Sequence, residues 1–526
     1  MAGQTLSADL VVVGSGAAGL TIAQAADRAG ATVIVLETGG LEHDPARRGL
    51  DRGEWIGDIG VGIASRKRFL GGSTNCWGGN CAPMDPIGYE QRPWVPHSGW
   101  PIDADDLAPW VADVHELLRV PFDTFDLDDW RERLGRVDGG VLVADSDRLE
   151  TKIFQRSRVA RLGELLRREL DRSPNTQVLM NGHVVELLTD AAATTVTGLR
   201  VVPTDGSPSE AFTVTGTNVV LAAAIENSRL LLASRRDLGG LGNRHDQVGR
   251  FFMGHFHFVS GRVEPADDDF DPSLYTIPGD VLGYVHGTKL AVGALRVSPA
   301  EQRRAKILDT AAFLLPYRPH EHWVGRSRAA AVGRGALARA RHRDGPSWGW
   351  RDAAEGSAEL PMIIGHGIGE ASRRLRGHRW FGIRTWAEQA PDPDNRIMLD
   401  PVRVDRFGVP RVMVQSNLTE LDRHTLKHGQ QVLAEEFERV GLGRVVDELP
   451  ALDRAWPRGA TGTSHFMGGT RMHDDPAQGV VDRDAKVHGV DNLYVAGAST
   501  FPASGLCMAT YQLTLMARRL ADHLVG

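Results

Sequence analysis

Cysteine is scarce in this chain. Cys76, Cys81 and Cys507 are the three present in 526 residues, and they make no Cys-x-x-Cys pair and no disulfide framework, as expected of a reducing, cytoplasmic setting. Long apolar runs are missing too. No stretch approaches the roughly eighteen consecutive apolar residues of a membrane-spanning helix, so no membrane partner is expected. The first strand begins by Asp9, which leaves no room for the basic start and apolar run of a signal peptide. Positive charge is not in excess: the formal net charge is −7. That argues against nucleic acid as a partner and is compatible with a cationic small substrate. No metal-ligand spacing stands out.

Glycine, by contrast, is abundant, with 60 residues in short clusters within apolar context. Such clusters mark tight turns and close backbone approach to a ligand. The length exceeds what one core usually serves, so two domains or one large α/β body are expected.

Leu10 to Val13 reads as a strand buried on both faces. Gly14-Ser15-Gly16-Ala17-Ala18-Gly19 follows, then a helical stretch from Leu20 to Ala29, a second strand from Thr32 to Leu36, and Glu37. This is a βαβ unit with the dinucleotide-binding glycine spacing. Gly14, Gly16 and Gly19 allow the turn and the approach of backbone N–H groups to a pyrophosphate at the helix N-terminus. Glu37 is placed to accept hydrogen bonds from a ribose diol. An ADP-containing cofactor is therefore expected.

Arg52 to Trp100 has little periodicity and reads as an ordered functional loop. A mixed segment with helices runs to about Ser173. Further strands are expected at Val178 to Met180, Val184 to Leu188, Val196 to Val202 and Asn218 to Ala224, with a helix from Ile225 to Ser234. Residues 255–300 alternate apolar and polar, as in an antiparallel sheet. Glu321 to Arg343 reads as a solvated surface helix. Strands are expected at Trp380 to Glu388 and Arg411 to Gln415, and helices at Glu420 to Val440 and Gln512 to Leu524.

Near the C-terminus, Ser464-His465-Phe466-Met467-Gly468-Gly469-Thr470-Arg471-Met472 offers a histidine beside a Gly-Gly turn. Asn492-Leu493-Tyr494-Val495-Ala496-Gly497-Ala498-Ser499-Thr500-Phe501-Pro502 reads as a buried strand entering a small-residue turn. His255 and His257 alternate on one strand and read as packing or pocket-wall residues. His473 and His488 read as exposed.

With these segments placed, the chain resembles the glucose–methanol–choline (GMC) oxidoreductases, in particular their bacterial, pyranose-oxidase-like branch. The resemblance rests on the N-terminal βαβ unit and on Phe69-Leu70-Gly71-Gly72-Ser73-Thr74-Asn75-Cys76-Trp77-Gly78-Gly79. It extends to Ser98-Gly99-Trp100-Pro101, Ala222-Ala223-Ala224-Ile225-Glu226-Asn227-Ser228-Arg229-Leu230-Leu231, Val248-Gly249-Arg250-Phe251-Phe252-Met253, Glu388-Gln389 and both C-terminal motifs.

The resemblance implies FAD as cofactor and a discontinuous Rossmann-like α/β FAD-binding domain, here 1–100, 174–254 and 456–526. It also implies an inserted antiparallel-sheet substrate domain, 255–455, with 101–173 as a connecting helical segment. Cofactor contacts are implied for Gly14, Gly16, Ala17, Ala18, Gly19, Glu37, Thr38, Gly71, Gly72, Ser73, Asn75, Cys76, Trp77, Gly78, Val184, Ala223, Gly497 and Ala498. The implied chemistry is oxidation of CH–OH to carbonyl on a sugar-like small molecule, with hydride transfer to flavin N5, reoxidation by oxygen or another acceptor, and His465 as base. Members acting on aminoglycoside intermediates make such a hydroxyl a candidate substrate, beside neutral sugars and glycosides. The family also holds non-redox lyases.

Two positions depart from the family pattern. Six residues after Pro502, where Asn or His usually orients the substrate hydroxyl, stands Met508, a weak acceptor and no donor. Thr510, Gln512 or a substrate-domain histidine is expected to serve instead. Cys76 stands where relatives often carry a flavin-linked histidine, and non-covalent FAD is expected.

Overall fold

The computed structural model describes residues 3–59, 66–134, 140–143, 146–159, 161–276, 290–316, 380–449, 456, 461–462 and 465–526. The surface helix expected over 321–343 lies outside the described residues, as does Ser464. In chain order the strands among the described residues are β1 (Thr5–Val13), β2 (Val33–Glu37), β3 (Gly53–Ile56), β4 (Asn80–Cys81), β5 (Leu149–Arg156), β6 (Thr176–Met180), β7 (Gly182–Thr189), β8 (Val196–Pro203), β9 (Phe212–Leu221), β10 (Phe256–Pro265), β11 (Ala291–Val297), β12 (Thr310–Pro316), β13 (Phe381–Ala387), β14 (Arg396–Val404), β15 (Pro410–Gln415), β16 (Gly443–Asp447), β17 (Thr461–Gly462) and β18 (Leu493–Val495). The α-helices are α1 (Ala17–Arg28), α2 (Pro86–Tyr89), α3 (Val111–Leu118), α4 (Leu127–Leu134), α5 (Leu162–Leu170), α6 (Ile225–Ala233), α7 (Pro299–Ala305), α8 (Glu420–Arg439) and α9 (Ala509–Val525). None is long and apolar enough to cross a membrane.

The first sheet runs β6-β2-β1-β9-β8-β7, with β18 also paired to β9. Its centre is parallel: Val13 lies between Leu36 and Leu221, and Val219 pairs with Leu493. Both faces are covered, so Leu10 to Val13 can be wholly apolar. The α/β reading of the sequence holds. Strands from the N-terminus, the middle and the C-terminus meet here, and α9 packs against α1.

The second sheet runs β16-β10-β13-β12-β11-β5-β4, with β17 on β10, and its neighbours pair antiparallel. Helix α8 packs on it through Leu426, Val432, Leu433 and Phe437, entered through a Thr419/Asp422 capping box.

Two segments differ from the sequence reading. The stretch 101–173, expected as a helical connector, does hold α3, α4 and α5, but it also holds β5, paired to β11 from Leu149↔Val297 to Gln155↔Ala291. Its alternation is masked because Lys152 and Gln155 are buried. Lys152 bonds Asp85, and Gln155 bonds the backbone of Phe122 and Thr124. The loop from Arg52 likewise contains β3, which joins β15 and β14 in a small third sheet.

Candidate active site

The β1–α1 turn starts from a bare helix end. Gly16 is the N-cap of α1 in an extended conformation, and no side chain caps the first turn. The leading N–H groups of the helix therefore stay available to an anion, and the helix dipole favours one there. Gly19 packs so closely that a Cβ would lie 1.9 Å from the Gly14 carbonyl oxygen. A Cβ on Gly16 would meet nothing within 4 Å.

Residues 69–76 fold over this turn. Gly71 N–H donates to the Ser15 carbonyl at 3.0 Å, and a Cβ on Gly72 would lie 3.1 Å from Gly16 Cα. Asn75 holds the loop by donating to the Leu70 and Gly72 carbonyls, both at 2.9 Å. Ser73 and Gly78 are exposed, while Cys76 is partly buried with its thiol 3.2 Å from the Ser73 carbonyl. Trp77 Nε1 and Asn80 Oδ1 are buried and lack a hydrogen-bond partner among the described residues. A donor and an acceptor left so suit a polar heteroaromatic ring.

Glu37 accepts from Ser15 Oγ at 2.5 Å and from Gly39 N–H at 2.8 Å, at the mouth of the same turn. The Thr38 hydroxyl meets His183 at 3.2 Å, and Val184 is buried beside it in β7. From the other terminus, a Cβ on Gly497 would lie 3.9 Å from that of Ala18. Asn227 joins the pieces, accepting from Ala223 N–H at 2.7 Å and donating to Ser499 Oγ at 2.9 Å. The Ala498 carbonyl accepts from Gly468 N–H at 3.1 Å. A cradle with uncapped helix amides, an acid and an orphaned ring donor fits FAD.

His465 stands just outside that cradle. Met253 and Met467 exchange both backbone hydrogen bonds at 2.9 Å, so the antiparallel register sets residue 255 opposite residue 465. Gly254 permits the approach, since a Cβ there would lie 2.7 Å from the His465 carbonyl oxygen. The two imidazoles meet edge to face, 5.2 Å between centroids at 78°, with Nδ1 3.0 Å from Nδ1. Burial, together with His255 and His257, holds the His465 pKa down to about 3, so the ring is neutral at pH 7.

His255 also bonds the Gly505 carbonyl at 2.7 Å through Nε2. The amide of that same glycine donates to Glu388 at 3.1 Å. Sequence reasoning reads His255 as packing or pocket wall, with a substrate-domain histidine among the candidates to replace the missing partner; the structure makes it the nearest polar neighbour shown for His465. No local motif signals this, because it arises from a register between segments two hundred residues apart.

Gln512 is fully buried in α9, donating to the Tyr89 hydroxyl at 2.7 Å and accepting from Met84 N–H at 3.4 Å. The Thr510 carbonyl accepts from Thr514 at 2.6 Å within the same helix. Met508 is the buried N-cap of α9 and its amide donates to the Ala82 carbonyl at 3.1 Å. His473 and His488, expected exposed, are partly buried, His488 Nε2 lying 2.8 Å from the His473 carbonyl oxygen.

The GMC oxidoreductase family profile matches residues 391–517, and an FAD binding domain matches residues 9–43. Residues 391–517 thus carry the pattern of the GMC oxidoreductases. The cofactor of the chain is FAD.

The large subunit of fructose dehydrogenase from Gluconobacter japonicus is 28% identical over 34% of this chain and 31% of its own length. Paromamine 6'-oxidase of Streptomyces fradiae is 28% identical over 27% of this chain and 25% of its own. For 6'''-hydroxyparomomycin C oxidase of Streptomyces lividus the figures are 31%, 27% and 26%. The chain thus matches under a third of the length of these curated relatives.

Among solved structures, formate oxidase superposes with a TM-score of 0.52 at 17% identity, over 100% of this chain and 98% of that one. Pyridoxine 4-oxidase from Mesorbium loti gives 0.52 at 15% identity, over 98% of both. At such identities the likeness is one of fold.

Proposed function

We propose that this GMC oxidoreductase oxidises a hydroxyl of a carbohydrate-like substrate, specifically of an aminoglycoside intermediate, with His465 as the base. When bound, FAD supplies the acceptor for the hydride. The uncapped amides of α1, the loop 69–78 and the turn at Gly497 would hold it, with Glu37 at the ribose end.

The observation that carries the proposal is the imidazole of His465, 3.0 Å from that of His255, on the segment whose Gly468 amide bonds the Ala498 carbonyl of the nucleotide cradle. A depressed pKa keeps the base unprotonated at neutral pH, ready to accept the proton of an alcohol. Aromatic side chains lie on the sheet that reaches this histidine: Trp386 is 5.9 Å from the His257 ring and 5.2 Å from Phe313. Apolar ring faces of this kind suit the C–H faces of a sugar. The named substrates of the two Streptomyces relatives favour an amino sugar, and a net charge of −7 is compatible with a polycation.

Anaerobic mixing of the holoenzyme with paromamine and with neutral monosaccharides tests this reading through flavin absorbance. Paromamine is expected to bleach the flavin, with binding that weakens as salt rises. Equal bleaching by neutral sugars would remove the aminoglycoside assignment. Product formed without bleaching would move the protein to the non-redox lyases. No response to any sugar, or wild-type turnover in His465→Ala, would sink the base assignment or the activity itself.

A further inference from the structure

We infer that His255 is a positioning residue: it fixes which nitrogen of His465 carries the proton and leaves Nε2 of His465 as the lone pair that takes the substrate's hydroxyl proton. This rests on His465 being the base.

The argument begins at a carbonyl, which can only accept. His255 Nε2 lies 2.7 Å from the Gly505 carbonyl oxygen and 3.4 Å from that of Ser504, so this nitrogen carries the hydrogen. Complete burial lowers the His255 pKa and keeps the ring neutral. A neutral imidazole protonated at Nε2 has its lone pair at Nδ1. That lone pair is 3.0 Å from His465 Nδ1, which must therefore be the donor. One proton per neutral ring then leaves His465 Nε2 bare.

The acceptor that starts this order is itself pinned. Glu388 takes the Gly505 amide at 3.1 Å and the Asp309 amide at 3.0 Å, and it is gripped by Arg92 at 2.6 and 2.8 Å. A buried ion pair thus holds a peptide plane, the peptide holds His255, and His255 sets the tautomer of His465.

Among the described residues, the ionisable groups that act on the two rings include His257 on β10, Glu388 with its counterion Arg92, and Asp309 before β12. In the reaction the substrate O–H bond breaks and an N–H bond forms at His465 Nε2. The two electrons would leave the carbinol carbon as hydride, for which FAD, when bound, would be the oxidant. The charge gained by His465 is stabilised through its Nδ1–H bond to His255.

The test uses 15N-histidine-labelled holoenzyme, with the His465 signals assigned by their loss in His465→Ala. Wild-type protein is expected to show His465 protonated at Nδ1. His255→Leu removes the acceptor and should yield a mixture with the Nε2–H form; His255→Asn, whose Oδ1 can accept, should restore Nδ1–H. In anaerobic flavin reduction by paromamine, His255→Leu is expected to lower the limiting reduction rate about 10²-fold with the apparent Kd changed less than about threefold, and His255→Asn to recover to within about tenfold of wild type. Equal flavin content shows that the variants remain folded. An Nε2–H tautomer of His465 in wild-type protein overturns the inference, and so does a His255→Leu enzyme with the wild-type rate. If His255→Leu does not fold, the wild-type and His255→Asn spectra still decide. Wild-type turnover in His465→Ala would instead refute the base assignment, while the tautomer result stands or falls on its own spectrum.

Discussion

Arg92 and Glu388 face one another as a bidentate ion pair, 2.6 and 2.8 Å apart, with neither side chain reaching solvent. Glu388 closes the remaining valences with the amides of Asp309 and Gly505. The pair and the two amides join four pieces of chain: the loop after α2, the end of β13, the residue before β12, and the turn before α9. Attraction between the charges offsets the heavy cost of taking both out of water only while both remain.

Removing one partner leaves a buried charge without compensation. Glu388→Leu or Arg92→Leu is therefore expected to cost about 3–5 kcal/mol of stability, and the double variant to recover part of it. Urea unfolding of the four proteins, wild type included, makes the double-mutant cycle. Additive losses across the cycle would mean that the pair does not act as a unit.

How much of this was legible in the sequence differs by element. The order of the βαβ unit is read correctly, since Leu10 to Val13 and Val33 to Leu36 are buried on both faces and carry no polar interruption, but β1 begins at Thr5 and α1 at Ala17, before the stretches expected. Strand β5 is not, because the partners that make Lys152 and Gln155 tolerable inside come from residues 83–85 and 122–124. The histidine motif points to His465 by local pattern. His255 carries no such pattern: its place depends on the Met253↔Met467 register and on the carbonyl of Gly505, which no local periodicity encodes. Gln512, attractive as a polar residue near Met508, faces Tyr89 and Met84 because α9 turns that side into the core.

Gly16 and Gly19 should respond differently to the same added methyl group. At Gly19 a Cβ would overlap the Gly14 carbonyl oxygen at 1.9 Å, so Gly19→Ala must displace α1 from β1 and destabilise the apoprotein. At Gly16 a Cβ meets no protein atom within 4 Å, so Gly16→Ala is expected to leave apoprotein unfolding within about 0.5 kcal/mol of wild type. It should nonetheless weaken FAD binding tenfold or more, since the backbone there must approach the pyrophosphate (about 1.4 kcal/mol for each tenfold). Titration of apoprotein with FAD, followed by flavin fluorescence, measures this. Unchanged affinity in Gly16→Ala would remove the cofactor from this turn.

Acid should destabilise the protein well before the carboxylates of its ion pairs titrate. His465 is held down to about 3, by burial first and then by His255 and His257, against an ordinary value of 6.5, and burial lowers His255 as well. Between about pH 6.5 and 3 the unfolded chain binds a proton that the folded His465 refuses, and His255 acts in the same direction. Stability is thus full above the unfolded value and falls as pH drops through this window, His465 contributing a slope of about 1.4 kcal/mol per pH unit. Asp422 acts in the opposite sense: burial raises it from 3.8 to about 6, so its folded form holds a proton more tightly and loses stability as pH rises over that range. Burial lowers His97, His115, His183 and His473 in the same sense as the two rings and raises Glu150 alongside Asp422, so the histidines outnumber the raised carboxyls and the net expectation between pH 6 and 4 is loss on acidification. Thermal unfolding of the holoenzyme from pH 7 to 4 should show a falling midpoint, shallower in His465→Phe, and a midpoint that holds constant or rises toward pH 4 would contradict the neutral, buried state assigned to the two rings.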